Sequence, residues 1–410
     1  MSTQTFILGG YQTDFARNVT GEGAGIYDLL EEAVHGVLHA SAVPAADVEV
    51  AHVGNLAAEL FCGQAQLGGM VASIDPAFAM LPTARHEAAC ASGSIAALAA
   101  MAELEAGRYD VALVVGVELM RNVDPQTAAA HLGTAAWAGR EALGAKFPWP
   151  AMFSTVADVY AERHGLRHEH LLRIAEINFE NARHNPLAQT RRWSFNPADF
   201  TLDDERNPVV EGRLRKQDCG RITDGAAAVV LASERYAPTW ASRRGRVLES
   251  VPVIRGWGHR TAPMLLEQKL RASSGSPYVF PHLRSAICDA YGRAGLEGPQ
   301  DLDAIETHDC FTISEYAALD HFGVTPPGAS WRAIEEGTIA RGGSLPVNPS
   351  GGLIGLGHPV GATGVRMLVD ANRQLTGTAG DYQVDGARTV ATLNIGGSFT
   401  TVVSFVVGAS

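Results

Sequence analysis

The sequence predicts an α/β protein built from two copies of one plan, with a long segment inserted into the first copy. Amphipathic helical stretches alternate with short apolar runs, which is typical of βαβ units and of a mostly parallel sheet. The order of helix, proline-containing turn, aspartate and strand occurs twice along the chain. With 410 residues, 46% of them hydrophobic, the chain is long enough to form two cores.

The first copy begins with the stretch IYDLLEEAVHGVLHAS (26–41), whose apolar residues recur at helical spacing. The turn AVPAAD leads from this helix into a strand-like run at 48–55. A second helix is predicted to begin near Cys90 and to stop at Gly107, because glycine is common just beyond a helix end. The run 110–120 is apolar on both faces, as expected of a central parallel strand.

The second copy repeats this order far downstream. The stretch HLRSAICDAYGRAG (282–295) is again an amphipathic helix, and it leads through LEGPQD into the run 302–310. The segment 355–375 is predicted to be a glycine-rich loop that opens a helix, and 388–397 is predicted to be a strand. A last strand at 400–407 follows almost at once. We therefore expect two similar halves that pack on each other.

One region breaks this symmetry. In the first copy, about a hundred residues separate the strand that ends near Met120 from the next clear strand at 225–233. We expect this segment to be a lid or a substrate-binding subdomain, with surface decoration as the alternative. The predicted boundaries are 1–120 with 221–250 for the first half, 121–220 for an inserted loop domain, and 251–410 for the second half.

Composition excludes several classes of function. The net charge is −12, from 44 acidic and 32 basic residues, which argues against a nucleic-acid-binding surface. The five cysteines are scattered and never spaced CxxC, so we expect neither a disulfide framework nor a metal site. The N-terminus lacks a secretory pattern, and the apolar runs are too short to cross a membrane. These features predict a soluble cytoplasmic protein with no membrane partner.

Four reactive side chains fall at loops where ligands bind in α/β sheets, beyond the carboxyl ends of strands. Cys90 opens a helix, where the helix dipole is expected to lower the pKa of a thiol. His358 lies in the equivalent loop of the second copy, so the duplication brings it towards Cys90. His308 and Cys310 lie two residues apart at a strand end, which puts both on one face. Each could be an ordinary core residue, but together they suit nucleophilic and acid–base chemistry.

The motifs HEAACASGS, THDCFTISE, NPSGGLIGLGHPVGATG and LNIGGS together resemble the four fingerprints of the thiolase superfamily, in order and spacing. The resemblance runs from about residue 4 to 407. The HDCF segment, with Asn394 and Gly396 in place of a Cys-x-Gly motif, is similar to the sterol-carrier-protein-2 type of thiolase, and we expect no lipid-carrier function. The resemblance implies the thiolase fold, with two βαβαβαββ halves in α-β-α-β-α layers and an inserted loop domain.

The resemblance also implies a mechanism. Cys90 would be acylated after activation by His358, and Cys310 would move the α-proton of the substrate. His308 together with His358 would stabilise the enolate oxygen, and the N–H groups of Cys90 and Gly396 would form a second oxyanion hole. The implied activity is reversible Claisen condensation of acyl-CoA molecules, or CoA-dependent cleavage of a 3-oxoacyl-CoA. No cofactor is implied beyond the coenzyme A thioester substrates.

Further residues are candidates for substrate binding. Asn394 accompanies Gly396 in the last motif, and Met152 and Phe153 would line the acyl pocket, with a plain core role as the alternative. Basic residues could bind the phosphates of CoA or could simply form a solvated face. These basic candidates are Arg243, Arg244, Arg191, Arg192 and the run 213–216.

The resemblance implies partners as well. We expect a homodimer or a dimer of dimers, with a partner enzyme or a zinc-containing bridging protein as a further possibility. The remaining cysteines, Cys62, Cys219 and Cys288, are expected to be structural. Two other functions stay open at this point, namely an acyltransferase of the same fold that delivers its acyl group to a non-CoA acceptor, and a scaffold that channels intermediates between partners.

Overall fold

A computed structural model describes residues 4–409. The strands are β1 (Thr5–Gln12), β2 (Val50–Gly54), β3 (Thr83–His86), β4 (Val111–Glu118), β5 (Val209–Glu211), β6 (Leu214–Arg215), β7 (Gly225–Ala232), β8 (Pro252–Thr261), β9 (Ala304–Thr307), β10 (Thr389–Gly396) and β11 (Thr401–Ala409). The helices are α1 (Ile26–Ser41), α2 (Ala58–Cys62), α3 (Leu67–Val71), α4 (Ser92–Glu105), α5 (Pro125–Gly133), α6 (Pro148–His164), α7 (His168–Arg183), α8 (Ala237–Arg243), α9 (Leu266–Ala272), α10 (Pro281–Ala294), α11 (Thr312–Phe322), α12 (Trp331–Glu335) and α13 (Thr363–Thr376).

The predicted duplication is confirmed by the order of the strands. Nine strands form one sheet in the order β3-β2-β4-β7-β1-β8-β11-β10-β9. From the centre of the sheet outward, the first half has the order β1-β7-β4-β2 and the second half has the matching order β8-β11-β10-β9. In the second half, a parallel bridge from Ile305 to Val347 stands where β3 pairs with β2 in the first half. The two halves meet at β1 and β8, which pair at only two positions.

The sheet is mixed, so the prediction of a mostly parallel sheet is wrong. Five strand pairings in the nine-stranded sheet are antiparallel and three are parallel. The reason is connection length, because only residues 397–400 join β10 to β11, and so short a link can only make an antiparallel hairpin. In the first half, β7 likewise returns antiparallel to both of its neighbours, β4 and β1.

Two buried helices form the layer between the halves. Helix α4 contacts β2 and β4 of the first half, and α13 contacts β9, β10 and β11 of the second half as well as β1 and β7 of the first. The two helices also contact each other, while α1 and α10 cover the outer faces of the halves. The predicted α-β-α-β-α layering follows from this arrangement. Consequently, the loops that precede α4 and α13 reach the middle of the molecule together.

The inserted segment runs between β4 and β7 and contains α5, α6, α7, β5 and β6. Its helices α6 and α7 pack on α11 of the second half, and Phe153 and Tyr160 share one core with Phe311 and Tyr316. The insertion therefore covers the ends of the strands that carry the reactive loops. Within residues 4–409, no helix combines the length and the apolar character that crossing a membrane requires.

Candidate active site

Cys90 lies in the tight turn between β3 and α4. The preceding residue, Ala89, has a φ of 51°, a conformation that costs energy for a residue other than glycine and is common at functional sites. The turn is held by Ser92, whose Oγ donates to the Ala89 carbonyl at 2.6 Å and accepts the Ala88 N–H at 2.9 Å. This local network fixes the Cys90 side chain at the head of α4, where it lines a cavity.

His358 lies in the loop before α13, and its hydrogen bonds assign its tautomer. The Thr363 hydroxyl donates to the Pro359 carbonyl at 3.1 Å, so it accepts a hydrogen bond from His358 Nδ1–H at 2.7 Å. The backbone N–H of His358 donates to Thr223 Oγ1 at 3.0 Å. The proton on Nδ1 leaves a free lone pair on Nε2, which is buried and has no hydrogen-bond partner. This nitrogen is therefore available as a base.

In His308 the proton lies on the other ring nitrogen than in His358. The side-chain amide of Asn394 donates to His308 Nδ1 at 3.2 Å and to the Cys90 carbonyl at 3.0 Å. The amide is oriented by Ser94, whose hydroxyl donates to Asn394 Oδ1 at 2.9 Å. His308 accepts at Nδ1, so its proton is on Nε2 and can be donated. Neither Asn394 nor His308 is among the residues that line the cavity. Asn394 connects the Cys90 turn to His308, and its role in substrate binding stays a prediction.

The structure brings the four predicted reactive side chains together. The sulfur of Cys90, one ring nitrogen of His308 and one of His358 all lie within 4.8 Å of one another. The two imidazole rings meet edge to face with centroids 5.1 Å apart. Cys310 lines the same cavity as Cys90 and His358, and its sulfur is 3.8 Å from Ser314 Oγ. A thiol, a base, a donor and a second thiol therefore converge on one point.

Burial, rather than the helix dipole, has the largest effect on the pKa values of the two thiols. It raises the pKa of Cys90 to about 12, although the N–H groups of Gly397 and of Cys90 itself lie at the sulfur and oppose this effect. Burial also raises the pKa of Cys310 well above its usual value, and the nearby sulfur of Cys90 adds to the shift. The predicted lowering of the Cys90 pKa is therefore wrong, because a buried thiolate loses more hydration than the amides return. Both sulfurs rest as thiols.

Burial has the complementary effect on the two imidazoles. It lowers the pKa of His358 to about 3, and the buried guanidinium of Arg366 adds to the shift. It also lowers the pKa of His308 well below its ordinary value, with His358 and Arg366 contributing. Both rings are therefore neutral near pH 7, which agrees with the tautomers assigned from the hydrogen bonds. A neutral His358 with a free lone pair can accept the thiol proton of Cys90.

The backbone amide beside the Cys90 sulfur belongs to Gly397 and not, as the sequence predicted, to Gly396. Gly396 is the last residue of β10, and a Cβ there would fall 2.2 Å from the Ala88 carbonyl oxygen. Only glycine, which has no Cβ, allows the backbone at this position to lie so close to Ala88. Gly397 follows with a φ of 63° and lines the cavity. The N–H groups of Gly397 and Cys90 thus form the candidate oxyanion hole for an acyl group on sulfur.

Three of the reactive groups, Cys90, Cys310 and His358, line a cavity of about 240 Å³. Its walls come from the turn of Cys90, the loop of His358 and the inserted segment. Most of the residues that line it are apolar, among them Leu56, Met120, Leu132, Trp149, Phe153, Val210, Ile222, Phe311 and Val360. A site that places a few polar groups at one end of an apolar cavity is typical of small-molecule binding.

Comparison with known proteins agrees with this geometry. The family model described as "Thiolase, N-terminal domain" matches residues 5–235, and the model described as "Thiolase C-terminal domain-like" matches residues 268–409. The chain belongs to the thiolase family. As a member of that family, it is an acyltransferase.

Similar proteins support the assignment to the thiolase family. An acetyl-CoA acetyltransferase of Methanothermobacter thermautotrophicus is 33% identical over 90% of this chain and 91% of its own length. Rabbit (Oryctolagus cuniculus) sterol carrier protein 2 is 27% identical over 96% of this chain and 70% of its own. Among solved structures, the Ltp2-ChsH2(DUF35) aldolase shares the fold with a TM-score of 0.79 and 20% identity, over 99% of this chain and 98% of that one.

Of the two predicted pocket residues in this thiolase, only Phe153 reaches the cavity. Its ring contacts the ring of Phe311, with centroids 4.6 Å apart. Met152 instead faces α9, beside Leu266 and Leu270. Neighbouring residues on a helix point about 100° apart, so Trp149 and Phe153, four residues apart, share the cavity face of α6 while Met152 does not.

The predicted CoA-binding arginines lie elsewhere in this thiolase. Arg243 ends α8, where its side chain is 65% exposed and lies 3.8 Å from Asp47, just before β2. The opposite end of β2 points at the site, so Arg243 and the adjacent Arg244 lie at the far edge of the sheet. Other basic candidates pair with acids, since Arg191 binds Asp14 through two hydrogen bonds of 2.8 Å. Arg213 pairs with Asp158 and Arg215 with Asp204, and nothing in the structure assigns a partner to Arg192.

Sequence reasoning missed two cations of this thiolase. Arg221 lines the cavity, and its guanidinium donates to the Lys216 carbonyl at 2.7 Å and to Gln217 Oε1 at 2.9 Å. Lys269 is buried in α9 and donates to Ser398 Oγ at 2.9 Å and to Thr400 Oγ1 at 2.7 Å. The signal for Lys269 was a lysine on an otherwise apolar helix face, but two of its three partners, Ser398 and Thr400, lie more than a hundred residues away in sequence.

Proposed function

We propose that the chain catalyses reversible Claisen condensation of acyl-CoA molecules, or thiolytic cleavage of a 3-oxoacyl-CoA, through an acyl group on Cys90. The observation that carries the proposal is the convergence of two half-buried thiols with two neutral imidazoles of opposite polarity. Three of these groups, Cys90, Cys310 and His358, line one end of an apolar cavity, and His308 lies against His358. A nucleophile, its base and an oxyanion donor are what acyl transfer requires. Coenzyme A thioesters supply both acyl groups, and the mechanism needs no further cofactor.

In the first half-reaction, the Cys90 sulfur attacks the thioester carbonyl while its proton passes to Nε2 of His358. The tetrahedral oxyanion accepts hydrogen bonds from the N–H groups of Cys90 and Gly397, which lie at the sulfur. The carbon–sulfur bond to CoA then breaks, and the leaving thiolate takes the proton of Cys310. This sequence leaves an acyl-Cys90, a free CoA thiol, a Cys310 thiolate and a protonated His358.

In the second half-reaction, the Cys310 thiolate removes the α-proton of a second acyl-CoA. The enolate oxygen accepts hydrogen bonds from Nε2–H of His308 and from the now protonated Nε2 of His358. The α-carbon attacks acyl-Cys90, and the released Cys90 thiolate recovers its proton from His358. All four groups return to their starting protonation states, so the cycle balances. Losing one such oxyanion donor typically costs about 10²–10³ in rate.

The Cys90→Ser variant tests this proposal. Incubation with an acyl-CoA should add one acyl mass to the wild-type chain, and this adduct should be lost from Cys90→Ser because a neutral hydroxyl is a far weaker nucleophile. The measurement is intact-protein and peptide mass spectrometry. Cys288→Ser is the matched control, since Cys288 is an exposed thiol outside the cavity and its loss should leave the adduct in place. An equal adduct on Cys90→Ser would refute the assignment.

Several wider features belong to the same proposal. We propose a homodimer because β3 is an edge strand with half-exposed residues throughout, and the nearby Met80 is 97% exposed. The Ltp2-ChsH2(DUF35) aldolase contains ChsH2 beside Ltp2, and we propose on that ground that this chain also binds a partner protein. A cytoplasmic location and the domain boundaries at 121–220 stay predictions. Because Arg243 and Arg244 lie at the far edge of the sheet, a role in binding CoA phosphates stays a prediction for Arg191, Arg192 and the run 213–216.

A further inference from the structure

We propose that Cys90 accepts apolar acyl groups of roughly six to ten carbons, and not chiefly acetyl groups. This inference rests on the proposed acyl-Cys90 chemistry and specifies its substrate class. It concerns the part of the cavity that lies between Cys90, α5 and the start of α6, which we call the acyl chamber. Its walls in the inserted segment are Ala129, Leu132, Ala135, Phe147, Trp149 and Phe153.

The size of the cavity carries the first step. An engineered protein cavity of about 150 Å³ holds benzene, a ring of six carbons. The whole cavity, of which the acyl chamber is one part, has a volume of about 240 Å³, and this exceeds what an acetyl group of two carbons can fill. An acetyl group on Cys90 would leave most of the apolar wall without contacts, which gives up the dispersion and hydrophobic energy that a longer chain recovers.

The chemistry of the walls carries the second step. Among the described residues that line the cavity, Arg221 is the one ionised side chain, and its two terminal nitrogens donate to Lys216, Cys219 and Gln217. The indole N–H of Trp149 donates to the Leu132 carbonyl at 2.9 Å, so its polar atom is satisfied by the protein. A polar or charged acyl tail would therefore lose hydration without gaining partners, whereas a hydrocarbon tail would not.

A panel of saturated acyl-CoA molecules from acetyl to decanoyl tests the inference. The rate of Cys90 acylation should rise about fourfold for each added methylene, which corresponds to about 0.8 kcal/mol, until the chamber is full. Octanoyl-CoA has six more methylenes than acetyl-CoA, so it should acylate Cys90 at least about 50-fold faster even if only about three of them are fully buried. The measurement is the initial rate of adduct formation by intact-protein mass spectrometry. Equal rates for acetyl-CoA and octanoyl-CoA would overturn the inference.

A pair of variants on one helix locates the effect. Ala129→Phe should fill the chamber and reduce the octanoyl-to-acetyl rate ratio at least about tenfold, since a phenyl ring occupies the space of several methylenes. Ala130→Phe is the matched control, because Ala130 is exposed on the same helix and does not line the cavity, so the ratio should stay unchanged. Ala129→Leu replaces Ala129→Phe if the larger side chain prevents folding. An unchanged ratio in a folded Ala129 variant would contradict the chamber.

The outcomes separate this inference from the proposed function. If no acyl-CoA in the panel produces an adduct on Cys90, the acyl-enzyme chemistry itself has failed. If adducts form but acetyl-CoA reacts as fast as longer chains, the acyl-enzyme proposal stands and only the substrate class is wrong.

Discussion

Two buried histidines in contact with each other have opposite chemical roles because of one neighbour each. Thr363 accepts from Nδ1 of His358 and leaves a lone pair on Nε2, whereas Asn394 donates to Nδ1 of His308 and leaves a proton on Nε2. The base and the donor are therefore distinguished by residues that never touch the substrate. Burial keeps both rings neutral, so this asymmetry persists across the physiological pH range.

At the residue scale, Cys310→Ala should separate the two half-reactions. The variant should still acylate Cys90, because the nucleophile and its base are unchanged and the leaving CoA thiolate, a weak base, can take its proton from water when Cys310 is absent. It should lose exchange of the α-protons of acetyl-CoA with deuterated water by at least about 10²-fold, since the group that removes the proton is gone. Nuclear magnetic resonance measures the exchange. Cys62→Ala, which removes a half-buried thiol outside the cavity, should exchange normally, and continued exchange by Cys310→Ala would contradict its role.

At the scale of elements, the hairpin between β10 and β11 positions one wall of the oxyanion hole. Gly397 and Phe399 both have positive φ values, of 63° and 60°, and the Phe399 ring stacks on Phe280 at 3.9 Å. The ammonium group of Lys269 holds the hairpin in place through hydrogen bonds to Ser398 and Thr400. Burial lowers the pKa of Lys269 to about 8, so its ammonium group is lost as the pH rises through that value.

Lys269→Met therefore tests a positioning role. Loss of the anchor should lower the rate of Cys90 acylation about tenfold, while the melting temperature stays within a few degrees, because burying an ammonium group itself costs stability. The wild-type rate should decline as the pH rises through about 8, and the variant should lack this decline. Rates from pH 6 to 9.5 and thermal melts by circular dichroism measure both effects. Lys216→Met, at an exposed lysine, is the control. If Lys269→Met lost stability but kept the decline in rate above pH 8, Lys269 would have only a structural role.

At the scale of the whole molecule, glycines let the two halves approach closely enough to share one site. A Cβ at Gly116 of β4 would fall 2.4 Å from the Gly361 carbonyl oxygen in the loop of His358. The same loop is held from the first half by Glu118, which accepts the Gly361 N–H at 3.1 Å. The distance between Cys90 and His358 therefore depends on contacts between backbones of different halves.

Gly116→Ala should disturb this contact. Both nearest neighbours of the added carbon are backbone atoms, so the substitution should cost about 1–3 kcal/mol, lower the melting temperature by several degrees and slow Cys90 acylation. Gly292→Ala is the matched control, because Gly292 lies in α10 with open space around it. That change should stabilise the chain by about 0.5–1 kcal/mol. Equal melting temperatures for the two variants would show that the halves are not in tight contact at Gly116.

Much of the fold was predictable from local sequence. The apolar spacing of 26–41 predicted α1 with its observed bounds, and the helix predicted from Cys90 to Gly107 occurs as Ser92–Glu105. Helical and strand periodicity depend on neighbours within a few residues, so they can be read from the chain. The sheet directions could not be read in this way, because the pairing of β7 between β1 and β4 is decided across more than a hundred residues.

The sequence by itself determined the duplicated plan and the identities of Cys90, His308, Cys310 and His358, because these depend on order and local pattern. Only the tertiary structure decided which backbone amide meets the sulfur, which way each imidazole donates, and which face of α6 lines the cavity. It also showed that Arg243 and Arg244, which were expected to bind CoA, lie at the far edge of the sheet. The physical reason is that hydrogen-bond partners and burial are set by distant segments, and these decide proton positions and pKa values.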